Sequence, residues 1–286
     1  MLLAIAFDVL SYVNQGIRWR LLLKPIGNIS TLRATQAIYA GLFTNELLPM
    51  RIGELVRAYL VSRWTSVKLV AVIPSMIVER CFDSLWMVVA IGLAALVVPL
   101  PQDLLRAAEL LGVIMIIAAA MLFYLSVRQR NSAWLERGQH SSHRMVRFVA
   151  TLLARLSEGV QGMGRTRAFY LAFAWSLALL VCQALAFWFV MVACNLPVSF
   201  LSGMVVFLLV HLGTAIPNTP ANVGAFQFFT VLGLTLFGVA KATAAGFSIV
   251  VFLMLMLTLP LLLLGFIAIS ASGTSLWQIR RELRFT

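Results

Sequence analysis

Long apolar stretches, interrupted at only a few charged positions, dominate the pattern of this chain. Asp, Glu, Lys and Arg are absent from residues 168–240, a run of 73, and from residues 242–279, a run of 38. A helix needs about 20 apolar residues to cross a bilayer, so the longer run has room for about three crossings. Because neither run alternates polar and apolar residues with a period of two, both predict helices and not barrel strands.

Eight apolar segments, which we name A to H, follow from this pattern. Their approximate bounds are residues 1–17 (A), 34–66 (B), 69–98 (C), 104–127 (D), 169–194 (E), 199–216 (F), 223–240 (G) and 243–270 (H). Segment A is short for a crossing, and a basic connector with Arg18, Arg20, Lys24 and Arg33 follows it. The prediction is an all-α polytopic membrane protein with about six to eight transmembrane helices.

The segments group into one transmembrane domain that contains two repeats. The first repeat is expected over about 1–127 and the second over about 169–274. A basic linker, 128–168, joins them, and it contains eight Arg, two Glu and two His. A basic tail, 275–286, ends the chain.

The composition favours a membrane protein and excludes a water-soluble enzyme. Hydrophobic residues make up 62% of the chain and charged residues 11%, and the mean hydropathy is +0.97, whereas soluble domains carry about 25% charged residues. The net charge of +12 therefore indicates cytoplasmic loops beside anionic lipid and not nucleic-acid binding. Cys81, Cys182 and Cys194 show no metal-ligand spacing, so we expect no disulfide frame, metal or cofactor.

The basic residues also predict an orientation in the membrane. With the linker and the tail in the cytoplasm, 18 of the 22 Lys and Arg residues fall inside. Arg106 and Lys241 fall outside, and Arg51 and Arg80 fall at membrane depth. In this arrangement segment B begins and ends inside, whereas F and G together begin and end outside. Each unit must then be a complete hairpin or a re-entrant segment.

Segment B and the F–G pair are interrupted by similar motifs. The first reads PMRIGE from Pro49 and the second reads PANVGA from Pro220, so both fit P-x-[RN]-[IV]-G, with the glycines at Gly53 and Gly224. Paired helix breaks that enter from opposite faces are typical of inverted-repeat transporters, in which the site lies where the breaks meet. The alternative is that both motifs are ordinary tight turns between full spans.

Segment C carries three ionisable residues, Glu79, Arg80 and Asp83, in an otherwise apolar helix. Glu79 and Asp83 are four residues apart and share a face, with Arg80 about 100° around the helix. Charges at this depth are costly unless they are paired or hydrated, so they are candidates for a binding site. A structural role is the alternative, in which Arg80 pairs with Glu54 or Glu46 and holds segment C against segment B.

Segment B adds Arg51, Glu54 and Arg57, which are spaced three apart along one helix face. An Arg at a helix break can hold a phosphate through two hydrogen bonds, and exposed helix N-termini add N–H donors. Thr219 and Pro220 fit the N-cap and first position of a helix that enters the same place. These patterns predict a cavity for an anionic headgroup, in which Glu54 and Glu79 are either proton carriers or counter-ions.

The predicted substrate-binding residues are Arg51, Glu54, Arg57, Glu79, Arg80, Asp83 and Asn222. The predicted helix breaks are Pro49, Gly53, Pro220 and Gly224. His211 is the only histidine in an apolar segment, where hydrogen-bonded packing is favoured over a proton relay.

The segments NELLPMRIGELVRAYL, ERCFDSLW and IPNTPANVGAFQFF resemble the lysylphosphatidylglycerol synthase transmembrane region, or flippase-like domain family, over nearly the whole chain. The resemblance implies a bacterial-type inner-membrane protein whose relatives translocate aminoacylated phospholipids or support export of lipid-linked molecules. The family's P-x-R-x-G-E, E-R-x-x-D and P-x-x-x-G patterns fall on 49–54, 79–83 and 220–224. Ala221 stands where relatives often have Gly, and Gln227 where an acidic residue is common. We expect no synthase activity, because the soluble transfer domain of bifunctional relatives is absent.

The leading hypothesis is a multi-pass flippase that moves an anionic or aminoacylated phospholipid, or a lipid-linked molecule, across the inner membrane. One alternative is a membrane-embedded enzyme of lipid or lipid-linked glycan metabolism, with Glu54, Glu79 and Asp83 as acid/base groups. The sequence shows no nucleotide loop, metal cluster or nucleophile–base pair that would support this enzyme alternative. Another is a scaffold that recruits a cytoplasmic lipid-modifying synthase through the linker. Membrane lipids are the expected partners. The sequence leaves open whether the protein forms a homo-oligomer.

Overall fold

The structure, a computed structural model, describes residues 1–47, 52–96, 166–214, 219–255 and 259–271, with isolated positions between residues 102 and 147. Over these ranges every regular element is helical, which confirms the all-α prediction for them. The helices are α1 (Leu2–Leu23), α2 (Thr31–Leu47), α3 (Gly53–Thr65), α4 (Leu69–Ala95), α5 (Arg167–Ala193), α6 (Phe200–Gly213), α7 (Ala225–Leu236), α8 (Lys241–Leu255) and α9 (Leu259–Ala271). A 3-10 turn, Pro220–Asn222, precedes α7. Segment D and the linker lie almost wholly outside the described residues.

One described helix, α5, is long and apolar enough to cross a membrane by length and composition alone. Helices α1 and α4 have 22 and 27 residues, which corresponds to about 33 and 40 Å at the usual helical rise. Both are therefore as long as the roughly 30 Å hydrocarbon core of a bilayer. Helix α5 has a charged residue only at its first position, Arg167, whereas α1 and α4 carry charged side chains in their interior, and these need partners inside the protein.

The first helix is longer than predicted, because its charged residue Arg18 lies inside the helix bundle. The sequence predicted that segment A ends at residue 17 and placed Arg18 in a connector, whereas α1 continues to Leu23. The Arg18 side chain is fully buried and is paired with two carboxylates of α4. Pairing inside the protein lets a cation occupy a helix interior, so the predicted boundary at residue 17 is wrong.

Segment H contains the helices α8 and α9, and residues 256–258 between them lie outside the described part. The prediction of a single span over 243–270 therefore falls partly outside the described residues.

Segment B folds as the helices α2 and α3, which pack closely against each other. A Cβ atom at Gly53 would overlap the carbonyl oxygen of Gly41, and the Gly53 N–H donates to Asn45 Oδ1 at 2.8 Å. Helix α3 begins at Gly53, at one of the predicted breaks, while Pro49 and Arg51 lie outside the described residues. The close approach of the two backbones explains why glycine occupies both positions.

Helices α6 and α7, which correspond to segments F and G, also pack against each other. The ring of Phe229 covers Gly213 so closely that a Cβ there would overlap it, and Gly233 lies against Val206. Both predicted interruptions are thus followed in the structure by a short helix that folds back on the one before it.

The buried core has two main parts, and each draws on both halves of the chain. One part consists mainly of residues from α5 to α8, with Met87 and Ile91 of α4. The other consists mainly of residues from α1 to α3, with Ala268 and Ile269 of α9. Helix α9 packs on α2, and α1 packs on α5. The two halves are therefore interleaved, and a polar site can form between them.

Candidate functional site

Six charged side chains of α1, α3 and α4 form a closed ring of ion pairs, in which cations and anions alternate. We call it the charge ring. In order around the ring, its members are Arg18, Glu79, Arg57, Glu54, Arg80 and Asp83. Three guanidinium groups balance three carboxylates, so the formal charge of the ring is zero.

Arg18, Glu79 and Arg57 are the buried half of the charge ring, with side-chain exposures of 0%, 1% and 4%. Arg18 donates to a Glu79 carboxylate oxygen at 3.1 Å and to Ser176 Oγ of α5 at 3.0 Å. Arg57 Nη2 lies 3.0 Å from the other Glu79 oxygen, and its Cζ lies 4.7 Å from the centroid of the Trp19 ring. Removal of one partner from a buried ion pair leaves an uncompensated charge. This half therefore ties α1, α3 and α4 together.

Glu54, Arg80 and Asp83 are the exposed half, with side-chain exposures of 23%, 51% and 32%. Arg80 donates to one Glu54 oxygen, and Arg57 Nη2 lies 2.7 Å from the other. Asp83 accepts hydrogen bonds from Arg18. The contact that closes the ring, from Arg80 Nη1 to Asp83 Oδ2, is 4.0 Å and is the longest of the six. A ligand can replace this contact at lower cost than any other in the ring.

A polar cavity of about 360 Å³ lies beside the exposed half of the charge ring. Arg80 and Asp83 line it, together with Gln15 of α1 and Gln183 of α5. Its other lining residues are Ser84, Trp86, Met87, Ser176, Leu179, Leu180, Val210, His211, Thr214, Asn222 and Phe226. The cavity therefore joins the charges of the first half of the chain to α6, α7 and the 3-10 turn of the second half.

The 3-10 turn that carries Asn222 has an unusual backbone. Ala221 and Asn222 have φ values of 53° and 54°, in the left-handed region, and Gly224 has a φ of 90°. Asn tolerates this region and Gly enters it freely, whereas Ala is strained there. The strained Ala221 stands at the position where the resembled family often has Gly. Strained backbone that the surrounding structure maintains is frequent at functional sites.

After the second interruption, helix α7 begins later in the chain than the sequence predicted. Thr219 precedes the 3-10 turn, but its hydroxyl donates to the carbonyl of Val223 at 2.6 Å and caps no helical N–H. Helix α7 starts only after Gly224, whose N–H donates to Gln227 Oε1 at 2.7 Å. The predicted start at Thr219 and Pro220 therefore describes the 3-10 turn and not the helix. Gln227, which departs from the acidic residue common in the resembled family, has a local capping role.

The structure brings together most of the predicted substrate-binding residues. Five of the seven belong to the charge ring, namely Glu54, Arg57, Glu79, Arg80 and Asp83. Asn222 lines the cavity beside the ring, and Arg51 lies outside the described residues. The pairing of Arg80 with Glu54, one of the two structural pairings predicted for Arg80, is confirmed. Glu54 and Glu79 each contact two arginines, as counter-ions do.

Three functional candidates were not found from the sequence: Arg18, Gln15 and Gln183. Arg18 belongs to the buried half of the ring, and the two glutamines line the cavity. A signal for Arg18 and Gln15 was present, because Ser11, Gln15 and Arg18 recur at helical spacing on α1. Gln183 stands alone in an apolar run and gave no comparable pattern.

A helical bundle that buries a neutral ring of charges beside a polar cavity is typical of membrane proteins with an internal polar site. The family described as the lysylphosphatidylglycerol synthase TM region matches residues 1–277. The chain belongs to this family, which confirms the resemblance and makes the protein a membrane protein. A comparison with curated proteins found no match, and a comparison with solved structures found none either.

Proposed function

We propose that this protein transports a phospholipid across the membrane and holds the headgroup in the polar cavity. The phosphate binds Arg80, and an ammonium group of the same headgroup binds Asp83. An aminoacylated phospholipid has both groups. The observation that carries the proposal is the exposed contact of 4.0 Å between Arg80 and Asp83 beside the cavity.

Both side chains have unused capacity for a ligand. A guanidinium group has five N–H donors in a planar fork, which suits a phosphate. Glu54 engages Nη2 of Arg80, whereas among the described residues the ion-pair partner of Nη1 is the distant Asp83 oxygen. A carboxylate offers about four acceptor sites, so Asp83 can accept from an ammonium group while it stays bonded to Arg18.

The neutrality of the charge ring favours a headgroup with both signs of charge. A purely anionic headgroup would add a net negative charge next to an already balanced ring. Such a charge is costly in surroundings that are poorly hydrated. A headgroup with a phosphate and an ammonium group replaces one long ion pair with two contacts and leaves the total charge unchanged.

The pairs of short helices support a transport role over a purely structural one. Helices α3, α6 and α7 have 13, 14 and 12 residues, or lengths of about 18–21 Å. These lengths fall short of the roughly 30 Å hydrocarbon core, and we propose that the two pairs are re-entrant hairpins of an inverted repeat. The 3-10 turn packs against α2. The interruption of one hairpin therefore reaches a helix of the other, as in transporters with paired broken helices.

A transport assay in proteoliposomes tests the proposal. Fluorescent aminoacylated lipid and fluorescent phosphatidylglycerol are compared, and folded wild-type protein is expected to move the aminoacylated lipid faster. Arg80→Gln is expected to slow its transport by about tenfold or more, because a lost hydrogen bond to a charged group costs at least about 1.5 kcal/mol. Arg63→Gln is the matched control, since Arg63 is an exposed arginine of α3 outside the ring.

Two results would count against the proposal. If folded wild-type protein moves neither lipid, the protein is not a transporter of these phospholipids. If Arg80→Gln and Arg63→Gln both transport at the wild-type rate, Arg80 does not hold the phosphate.

A further inference from the structure

A second cavity, of about 410 Å³, lies between α4, α5 and α6, and we call it the apolar groove. All its lining residues are apolar. They include Trp86, Ala90 and Ala94 of α4, Leu180 of α5, and Phe200 and Met204 of α6. Several of the lining residues, such as Leu93 and Val181, are exposed on the surface of the described chain. The groove is therefore an apolar volume with part of its wall on the surface of the described chain.

The apolar groove adjoins the polar cavity. Trp86 and Leu180 line both of them, so they form the wall at which one volume meets the other. The indole N–H of Trp86 donates to the carbonyl of Phe173 at 2.9 Å, and its ring stacks on Phe173 at 5.1 Å. With its polar atom bonded and its ring held, Trp86 is a fixed boundary between the two volumes.

A phospholipid is a ligand whose chemistry fits this arrangement. It has a charged headgroup joined covalently to long apolar chains, so a bound molecule needs a polar volume directly beside an apolar one. A free headgroup or a soluble anion would use the polar cavity alone. Inside a bilayer, a groove lined only by apolar side chains holds a hydrocarbon chain through van der Waals packing, because the chain is already out of water.

We infer that the apolar groove binds one acyl chain of the lipid whose headgroup occupies the polar cavity. This inference rests on the proposed transport function and adds the part of the ligand that the charge ring does not recognise. It predicts that affinity depends on chain length as well as on the headgroup. It also predicts that the chain lies against α4, α5 and α6 and not against α7 or α8.

The test compares two ligands that share a headgroup, an aminoacylated phospholipid with long acyl chains and a water-soluble analogue with short chains. Ala90→Trp fills the groove, and it is expected to weaken binding of the long-chain lipid by about tenfold while leaving the short-chain analogue unaffected. Arg80→Gln is expected to weaken both ligands. Ala245→Trp is the matched control, because Ala245 is an exposed alanine of α8 that lines neither cavity.

The outcomes separate the groove from the transport proposal. Binding of neither ligand by folded wild-type protein would overturn the proposed function. Equal binding of both ligands by the wild type, or the same long-chain affinity in Ala90→Trp and Ala245→Trp, would overturn the groove inference and leave the headgroup site standing.

A measurement on the wild type avoids any effect of the substitutions on folding. A lipid with a photoreactive acyl chain is incorporated into vesicles, and the cross-linked peptides are identified by mass spectrometry. We expect labelling to concentrate on α4, α5 and α6 and to fall when unlabelled long-chain lipid is added. Labelling of exposed α8 residues such as Ile249 to the same extent, with no such competition, would show only bulk lipid contact and overturn the inference.

Discussion

Arg18 and Arg80 are both members of the charge ring, but their surroundings give them different roles. Arg18 is fully buried and contacts two carboxylates and the Ser176 hydroxyl, whereas about half of the Arg80 side chain is exposed to the cavity. Burial costs an ion several kcal/mol of hydration, which its partners must offset. Arg18 is therefore important for stability, and Arg80 remains available to a ligand.

Substitution of Arg18 separates these roles. Arg18→Gln leaves Glu79 and Asp83 without a buried cation between them, so we expect the free energy of unfolding to fall by about 3–5 kcal/mol. Thermal unfolding of the detergent-solubilised protein measures the change. Arg20→Gln is the control, because Arg20 is an exposed arginine two residues further along α1 that donates a hydrogen bond to Thr31. This substitution should lower the free energy of unfolding by less than about 0.5 kcal/mol. Equal losses for the two variants would contradict the structural role of Arg18.

Most of the ring could be predicted from the sequence, because charges in apolar segments stand out. Glu79, Arg80 and Asp83 interrupt an apolar helix, and the i and i+4 spacing of the two acids predicts a shared face; both acids do contact Arg18. Arg18 itself was assigned to the connector, since Arg20 and Lys24 follow it closely. Charge alone does not distinguish an arginine that ends a span from one that is neutralised within it.

At the scale of the helices, α2 and α3 are held together by a contact between backbones. Gly41 and Gly53 face each other, and the Asn45 amide accepts from the first N–H of α3. Helices of 17 and 13 residues gain little from their own hydrogen bonds, since short helices depend on tertiary packing. The geometry of the hairpin therefore depends on the absence of a side chain at Gly53.

Gly53→Ala tests this dependence. The added Cβ would overlap the Gly41 carbonyl oxygen and lie 2.7 Å from Asn45 Oδ1, so we expect α2 and α3 to separate and stability to fall by about 1–3 kcal/mol. Gly92→Ala on α4 is the control, because nothing lies within 4 Å of its added Cβ. Alanine there should stabilise the helix by up to about 1 kcal/mol. The hairpin contact would be refuted if both variants unfolded at the same temperature.

The helix interruptions were easier to predict than the helix boundaries. Pro and Gly residues interrupt segment B and the F–G pair, and new helices do begin at Gly53 and after Gly224. The end of the first helix was not predicted, because the sequence placed it at residue 17 and α1 continues to Leu23.

At the scale of the whole molecule, the polar cavity exists because the two halves are interleaved. Its wall combines Arg80 and Asp83 from the first half with His211 and Asn222 from the second. The sequence predicted two repeats with a site where the interruptions meet, but it gave no sign that α9 packs on α2 or α1 on α5. Contacts between distant segments leave no periodic pattern in a single sequence.

The orientation predicted by the basic residues can be tested with single cysteines. In a background without Cys81, Cys182 and Cys194, Lys24→Cys is expected to lie inside and Ala240→Cys outside; both positions are exposed. In intact cells a membrane-impermeant maleimide should modify Ala240→Cys, and it should modify Lys24→Cys only after the cells are permeabilised. The reverse pattern would refute the orientation.

The charge ring also has a consequence for how the protein is made. All six members lie between residues 18 and 83 of a chain of 286, and among the later residues that the structure describes, Ser176 contributes a hydroxyl to Arg18. While the chain is being synthesised, α1 emerges with Arg18 in its last two turns before either of its carboxylate partners exists, and an unpaired charge in a membrane-spanning helix disfavours insertion. Both carboxylate partners of Arg18 are present only when Asp83 has been added. The order of synthesis therefore favours integration of α1, α3 and α4 as a group, before the second half of the chain arrives.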